Sequence, residues 1–153
     1  MKIAMANDHA GTALKNVIKA YLESQGHEVK DFGTYDGESC DLSDYVYPAA
    51  MAVGKGECDR GIFVDGVGYG SAMIANKVNG IYACVCQDPF CAQLSREHND
   101  ANVLCLGGKL IGEMIAMEIV KTWMNTEPLT AEKYVRRRDK VKEINDELCK
   151  SLS

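Results

Sequence analysis

Residues 60–76 read Arg60-Gly61-Ile62-Phe63-Val64-Asp65-Gly66-Val67-Gly68-Tyr69-Gly70-Ser71-Ala72-Met73-Ile74-Ala75-Asn76. The apolar run from Gly61 to Val64 flows into Asp65 and three alternating glycines, and small and apolar residues follow. This predicts a buried strand, a tight loop and a helix. Four more candidate strands lie outward from it: short apolar runs at Lys2 to Ala6, Ile81 to Cys86 and Val103 to Leu106, and the mixed segment His27 to Phe32. Helical patterns alternate with them. Leu14, Val17, Ile18, Tyr21 and Leu22 recur at one-sided helical spacing until Gly26 stops them. A helix carrying Val46, Ala49, Ala50 and Val53 contains Pro48, so it starts or bends there. Pro89 to Glu97 and Glu113 to Met124 give two further helices, and a charged segment runs from Thr130 to Leu148. Strands that read as continuous apolar runs, alternating with helices, predict an α/β fold with one five-stranded parallel sheet buried on both faces. No repeat or linker divides the chain, so residues 1–153 are expected to form one domain.

Charge narrows the function classes. The net charge of −5, from 22 acidic and 17 basic residues, offers no whole-surface attraction to nucleic acid or anionic lipid. No run approaches the roughly 18 apolar residues that span a bilayer, and the N-terminus meets polar residues by Asn7, too early for a secretory signal. A soluble cytoplasmic protein without nucleic-acid or membrane partners is expected. The seven cysteines are odd in number and contain no Cys-x-x-Cys. They read as small core side chains in a reducing compartment, and no metal site is expected. Arg136, Arg137, Arg138, Lys140 and Lys142 form the one basic concentration, either a solvated helix face or an anion-binding one.

In an open parallel sheet, ligands bind beyond the carboxyl ends of the strands, where the winding reverses. If the second and third strands flank the first, Asn7, Asp8 and His9 face Asp65 and the glycine run. The segment Gly66, Val67, Gly68, Tyr69, Gly70 and Ser71 can converge several backbone N–H groups on a phosphate, oxyanion or enediolate. It can equally serve tight strand-to-helix packing. His98-Asn99-Asp100 precedes the last strand, as a turn or as a chemical group. Asp8, His9, Asp65 and His98 with a glycine cradle suit proton transfer beside a carbonyl on a phosphorylated small molecule.

These residues carry a resemblance that spans essentially the whole chain. Its marks are Asn7-Asp8-His9-Ala10-Gly11, Asp31-Phe32-Gly33-Thr34-Tyr35, the stretch 60–77, the stretch 92–103 and Gly107-Gly108-Lys109-Leu110-Ile111-Gly112. In order and spacing the chain resembles the ribose-5-phosphate isomerase B and galactose-6-phosphate isomerase family. The resemblance implies a Rossmann-like three-layer α/β/α fold. It also implies a cofactor-free, metal-free aldose–ketose isomerase acting through an enediolate, with ribose 5-phosphate as the default substrate. A homodimer, or a tetramer, would share its active sites across the interface, with the segment 130–150 packed on the partner. Asp8 and His9 would contact the sugar phosphate, and Gly66 to Gly70 would cradle the enediolate. His98 would open the sugar ring beside Asn99, and Lys109 would bind phosphate from the partner chain. Two basic residues four apart are expected near the C-terminus. Lys133 and Arg137 fit with one insertion after Trp123, and Glu132 and Arg136 without it.

Departures from the family pattern matter as much. Asp65 stands where these isomerases usually have a cysteine base, Val67 where they have a threonine, and the segment 41–48 lacks the usual Asp-Tyr-Pro. A carboxylate can enolise a sugar, but at its ordinary pKa it is a weak base unless desolvation raises it. The neighbouring N–H groups push the other way, so an apolar pocket must outweigh them, with Val67 expected to help. Three readings follow. They are a self-sufficient isomerase with Asp65 as base, one subunit of a heteromeric galactose-6-phosphate isomerase needing a cysteine-bearing partner, and a non-catalytic sugar-phosphate binding protein.

Overall fold

A computed structural model describes residues 1–151. Among these residues five strands are each followed by a helix, and a sixth helix comes after α5: β1 Lys2–Asn7, α1 Thr12–Ser24, β2 Glu28–Asp31, α2 Ser43–Gly54, β3 Arg60–Asp65, α3 Tyr69–Ala75, β4 Ala83–Val85, α4 Pro89–Glu97, β5 Val103–Gly107, α5 Glu113–Asn125 and α6 Glu132–Ser151. The sheet is wholly parallel in the order β2-β1-β3-β5-β4. The expected α/β architecture is therefore present, with β2 and β3 on opposite sides of β1.

Period-two alternation divides the core between two faces. Ile3, Met5, Ile62, Val64, Leu104 and Leu106 point to the face covered by α1, α4 and α5. Ala4, Ala6, Phe63, Val103 and Cys105 point to the other, where α2 and α3 pack. The second face is built of small residues on both sides, with Ala49, Ala50 and Ala52 meeting the strand alanines, so α2 can lie close to the sheet. β1, β3 and β5 are buried almost throughout, as continuous apolar runs require. β2, Glu28-Val29-Lys30-Asp31, alternates instead. It is an edge strand whose exposed charges discourage pairing with another chain.

Two local outcomes set up the site. α2 begins at Ser43, upstream of Pro48, which sits inside the helix on its exposed side. The helix thus starts near Leu42 and brings that residue to the strand ends. Lys15, fully buried on α1, donates to Asp31 Oδ1 and to the Thr34 carbonyl, each at 2.8 Å. Removing one partner from such a buried pair typically costs about 3–5 kcal/mol, so this contact firmly holds the start of the loop from β2 to α2.

Cys58, Cys86 and Cys105 are buried core residues. Burial pushes the Cys86 thiol up to about 12, far from a reactive thiolate. Among the described residues no helix is long and apolar enough to cross a membrane. No three His, Cys, Asp or Glu side chains among them gather around a possible metal ion.

Candidate active site

β1 and β3 are neighbours, so the loops that leave them meet at the switch point. The Asp8 amide donates to the Val64 carbonyl at 3.3 Å, and Asp8 Oδ1 accepts from the Ala10 amide at 2.9 Å. Asn7 is buried at the end of β1, Asp8 is half-buried and His9 is exposed. Gly11 permits this approach, since a side-chain carbon there would lie 2.3 Å from the Val64 carbonyl oxygen.

Asp65 ends β3 with only 6% of its surface exposed. Its Oδ1 accepts a hydrogen bond from Ser71 Oγ at 2.8 Å. Burial is the largest influence on the carboxyl and raises its pKa above the ordinary value; Asp8 adds to the rise. The Ser71 hydroxyl and the amides of Gly68 and Ser71 oppose it. Desolvation therefore wins the competition expected from the sequence. Val67 is not its source: that side chain is 41% exposed. The apolar side chain near the carboxylate is Leu42, which borders the same space beside Gly70.

The glycine loop turns directly from β3 into α3. Gly68 takes φ +88° at the start of α3, and a side chain there would press on Val85 and the β5 backbone. Gly66 and Gly70 are half-buried, and Tyr69 points outward to accept from Gln87 Nε2 at 3.0 Å. Ser71 differs from its expected substrate-binding role. It is fully buried and its hydroxyl is spent on Asp65.

Lys109 also departs from expectation. Its amide donates to the Gly66 carbonyl at 3.0 Å, and the Gly108 amide donates to the Asp65 carbonyl at 2.7 Å. The exposed Lys109 thus stands beside the glycine loop of its own chain, because the turn after β5 is tied to the turn after β3. It reaches the Asp65 end without a partner.

His98 and Asn99 lie elsewhere. β3 and β5 pair from Gly61 with Val103 to Asp65 with Gly107. His98 precedes the start of β5, whereas Asp65 is level with its end. Four strand steps of about 3.3 Å separate these ends by roughly 13 Å. One protomer does not bring Asp65 and His98 together. His98 caps the C-terminus of α4, and Asp100 follows at φ +51° with its carboxylate 2.7 Å from Arg96.

At this second end, a cavity of about 640 Å³ lies between the body and α6, lined in part by His98, Asn99, Arg137, Arg60 and Arg96. Arg60 and Arg96 hold carbonyls at the end of α5 and stack on Trp123, so they are committed to the fold. From α6, Arg137 and Lys142 line the same cavity. Tyr134, a residue not singled out from the sequence, stacks on His98 with ring centroids 4.8 Å apart. Lys133 and Arg137 lie over its ring at 5.0 and 6.0 Å. Glu132 and Arg136 instead pair with each other at 3.0 Å. The signal in the sequence was the aromatic residue set between two bases four apart.

The fold and the carboxylate at its switch point place the chain among Rossmann-like α/β proteins that take small ligands beyond the strand ends. The family model described as Ribose/Galactose Isomerase matches residues 3–144, and the chain belongs to that family. It is 45% identical over 126 residues to ribose-5-phosphate isomerase B of Escherichia coli strain K12, covering 82% of this chain and 85% of that protein. It is 41% identical over 129 residues to D-erythrulose-4-phosphate isomerase of Pectobacterium atrosepticum, covering 83% and 84%. The solved structure of Clostridium thermocellum ribose-5-phosphate isomerase B superposes with a TM-score of 0.92 at 44% identity, covering 97% of this chain and 99% of that one.

Proposed function

We propose that the chain is an aldose–ketose isomerase of a phosphorylated sugar, with ribose 5-phosphate as default substrate, acting as a homodimer whose sites are shared between copies. The observation that carries this reading is the buried Asp65 carboxylate beside the glycine loop at the switch point. Asp65 takes the proton from C2 of the open-chain aldose. The electrons of that C–H bond form the C1–C2 double bond, and the carbonyl electrons move to O1. The amides of Gly66 to Gly70 stabilise the enediolate charge, which is where such donors act most strongly. The proton then passes from Asp65 to C1, the O2 hydroxyl proton passes to O1, and C2 becomes the carbonyl. No external oxidant or reductant enters.

A second copy supplies what this end of the sheet lacks. Its His98, with Asn99 alongside, opens the sugar ring by proton transfer. Its Lys133 and Arg137 join Lys109, Asp8 and His9 around the sugar phosphate. The exposure of α6 supports that assembly: none of its residues is buried, and Val141, Ile144 and Leu148 line up uncovered at helical spacing. A chain that carries both half-sites also favours self-sufficiency over dependence on a cysteine-bearing partner.

The test uses the purified chain alone in deuterated solvent, with phosphorylated tetroses, pentoses and hexoses, and sedimentation to size it. Exchange at C2 of ribose 5-phosphate by a dimer is expected. Exchange only with a tetrose or hexose would reassign the substrate and keep the isomerase. A folded dimer that binds sugar phosphate without exchange would overturn the proposal.

A further inference from the structure

The two oxygens of Asp65 meet unlike surroundings. Oδ1 accepts from Ser71 Oγ at 2.8 Å, and Ser71 is fully buried, so that oxygen is pinned. Oδ2 faces the position that a side chain on residue 70 would occupy. A side-chain carbon built on Gly70 would lie 3.3 Å from Oδ2 and 3.0 Å from Leu42 Cδ2. Gly70 is the second residue of α3, where alanine is the better helix former. Its backbone is not left-handed, unlike that of Gly68. Neither helix preference nor backbone conformation therefore explains a glycine at this position. What the missing side chain preserves is the space between Oδ2 and Leu42.

We infer that Asp65 works through Oδ2, with Ser71 as the positioning residue that holds Oδ1 and Gly70 as the opening through which the substrate's C–H bond reaches the carboxylate. The inference rests on the reading of Asp65 as the base. A lone pair on Oδ2 takes the C2 proton as the C–H electrons enter the C1–C2 double bond. The same oxygen then returns the proton to C1, because a carboxylate pinned at one oxygen does not rotate to present the other. Leu42 lines the opening and keeps water from the proton in transit. The titratable groups facing this carboxylate are Asp8 from the loop after β1 and Cys105 from β5, with Lys109 one residue away beside Gly66.

The test compares Gly70→Ala, Ser71→Ala and the double variant Gly70→Ala/Leu42→Ala with the unaltered chain. Each is melted thermally and assayed for C2 hydrogen exchange from acidic to neutral pH, with the sugar phosphate that the unaltered chain exchanges. Gly70→Ala is expected to melt at or above the unaltered temperature and to lose about 10²-fold in kcat, the scale of a displaced acid–base group. Removing Leu42 in that background should restore about tenfold, because the new methyl gains room to move off Oδ2. Ser71→Ala should move the acid limb of kcat up by about one pH unit, because the lost hydrogen bond favoured the ionised carboxylate. A merely structural serine would leave that limb in place.

Near-normal turnover by Gly70→Ala, or an unmoved limb in Ser71→Ala, would overturn the assignment. Should Gly70→Ala fail to fold, the Ser71→Ala limb decides alone. Absence of exchange by the unaltered chain, or normal exchange by Asp65→Asn, would overturn the base reading and this inference with it. Loss of exchange in Asp65→Asn together with normal exchange in the separate variant Gly70→Ala would overturn the inference alone.

Discussion

Asp65 costs the folded protein something at neutral pH. Burial raises its pKa above the ordinary 3.8 against the pull of Ser71 and two amides. A carboxylate whose folded pKa is raised stabilises the fold fully below its unfolded value and loses that contribution as pH climbs through the folded one. Asparagine does not ionise and escapes the loss. Asp65→Asn is therefore expected to melt higher than the unaltered chain at neutral pH, with the gap closing as pH falls below 3.8. The same variant should lose at least about 10² in turnover, the usual contribution of a positioned acid or base. Melting scans at both pH values, beside the exchange assay, check both halves. A stability gap that persists in acid would remove ionisation as its cause, and normal turnover would remove Asp65 from the chemistry. The competition at this residue was legible in the sequence, since glycine amides and a carboxylate stood side by side. Its winner was not, because Leu42 arrives from the start of another helix and Val67 turns outward.

Among the elements, α6 carries the sharpest discrimination. Two registers were open in the sequence, Lys133 with Arg137 or Glu132 with Arg136. The structure gives Lys133 and Arg137 to the Tyr134 ring on His98, and pairs Glu132 with Arg136. An arginine on a phosphate makes a charged hydrogen bond worth about 1.5–3 kcal/mol, so Arg137→Ala should raise KM by about tenfold or more. Arg136→Ala, which removes an exposed ion pair, should leave KM within about twofold. Steady-state kinetics of the two variants decide the register, and a larger effect at Arg136 would reverse it. The central strands were readable because burial on both faces demands unbroken apolar runs. The edge strand β4 shrank from Ile81–Cys86 to Ala83–Val85, since only β5 pairs with it. The insertion of β5 between β3 and β4 has no local signature at all. By contrast, the separation of Asp65 from His98 was implicit: one follows a parallel strand and the other precedes one, so they sit at opposite ends of the sheet.

That separation makes the assembly testable at the scale of the whole molecule. If each site takes Asp65 from one copy and His98 from the other, the two residues can be disabled on different chains. Asp65→Asn homodimers lack the base in both sites, and His98→Ala homodimers lack the ring opener in both. In a mixed dimer one site holds both defects, while the other holds an intact Asp65 facing an intact His98. Random pairing of equal amounts makes half the dimers mixed, each with one working site of two, so about a quarter of the unaltered activity should return, as two-fold symmetry requires. Co-expression of the two variants, assayed on cyclic ribose 5-phosphate, measures this directly. If both residues belonged to one site within a chain, every site would contain a defect and mixing would recover nothing. An open-chain sugar phosphate supplies the internal control. His98→Ala should already turn it over, because ring opening is bypassed and Asp65 remains in place.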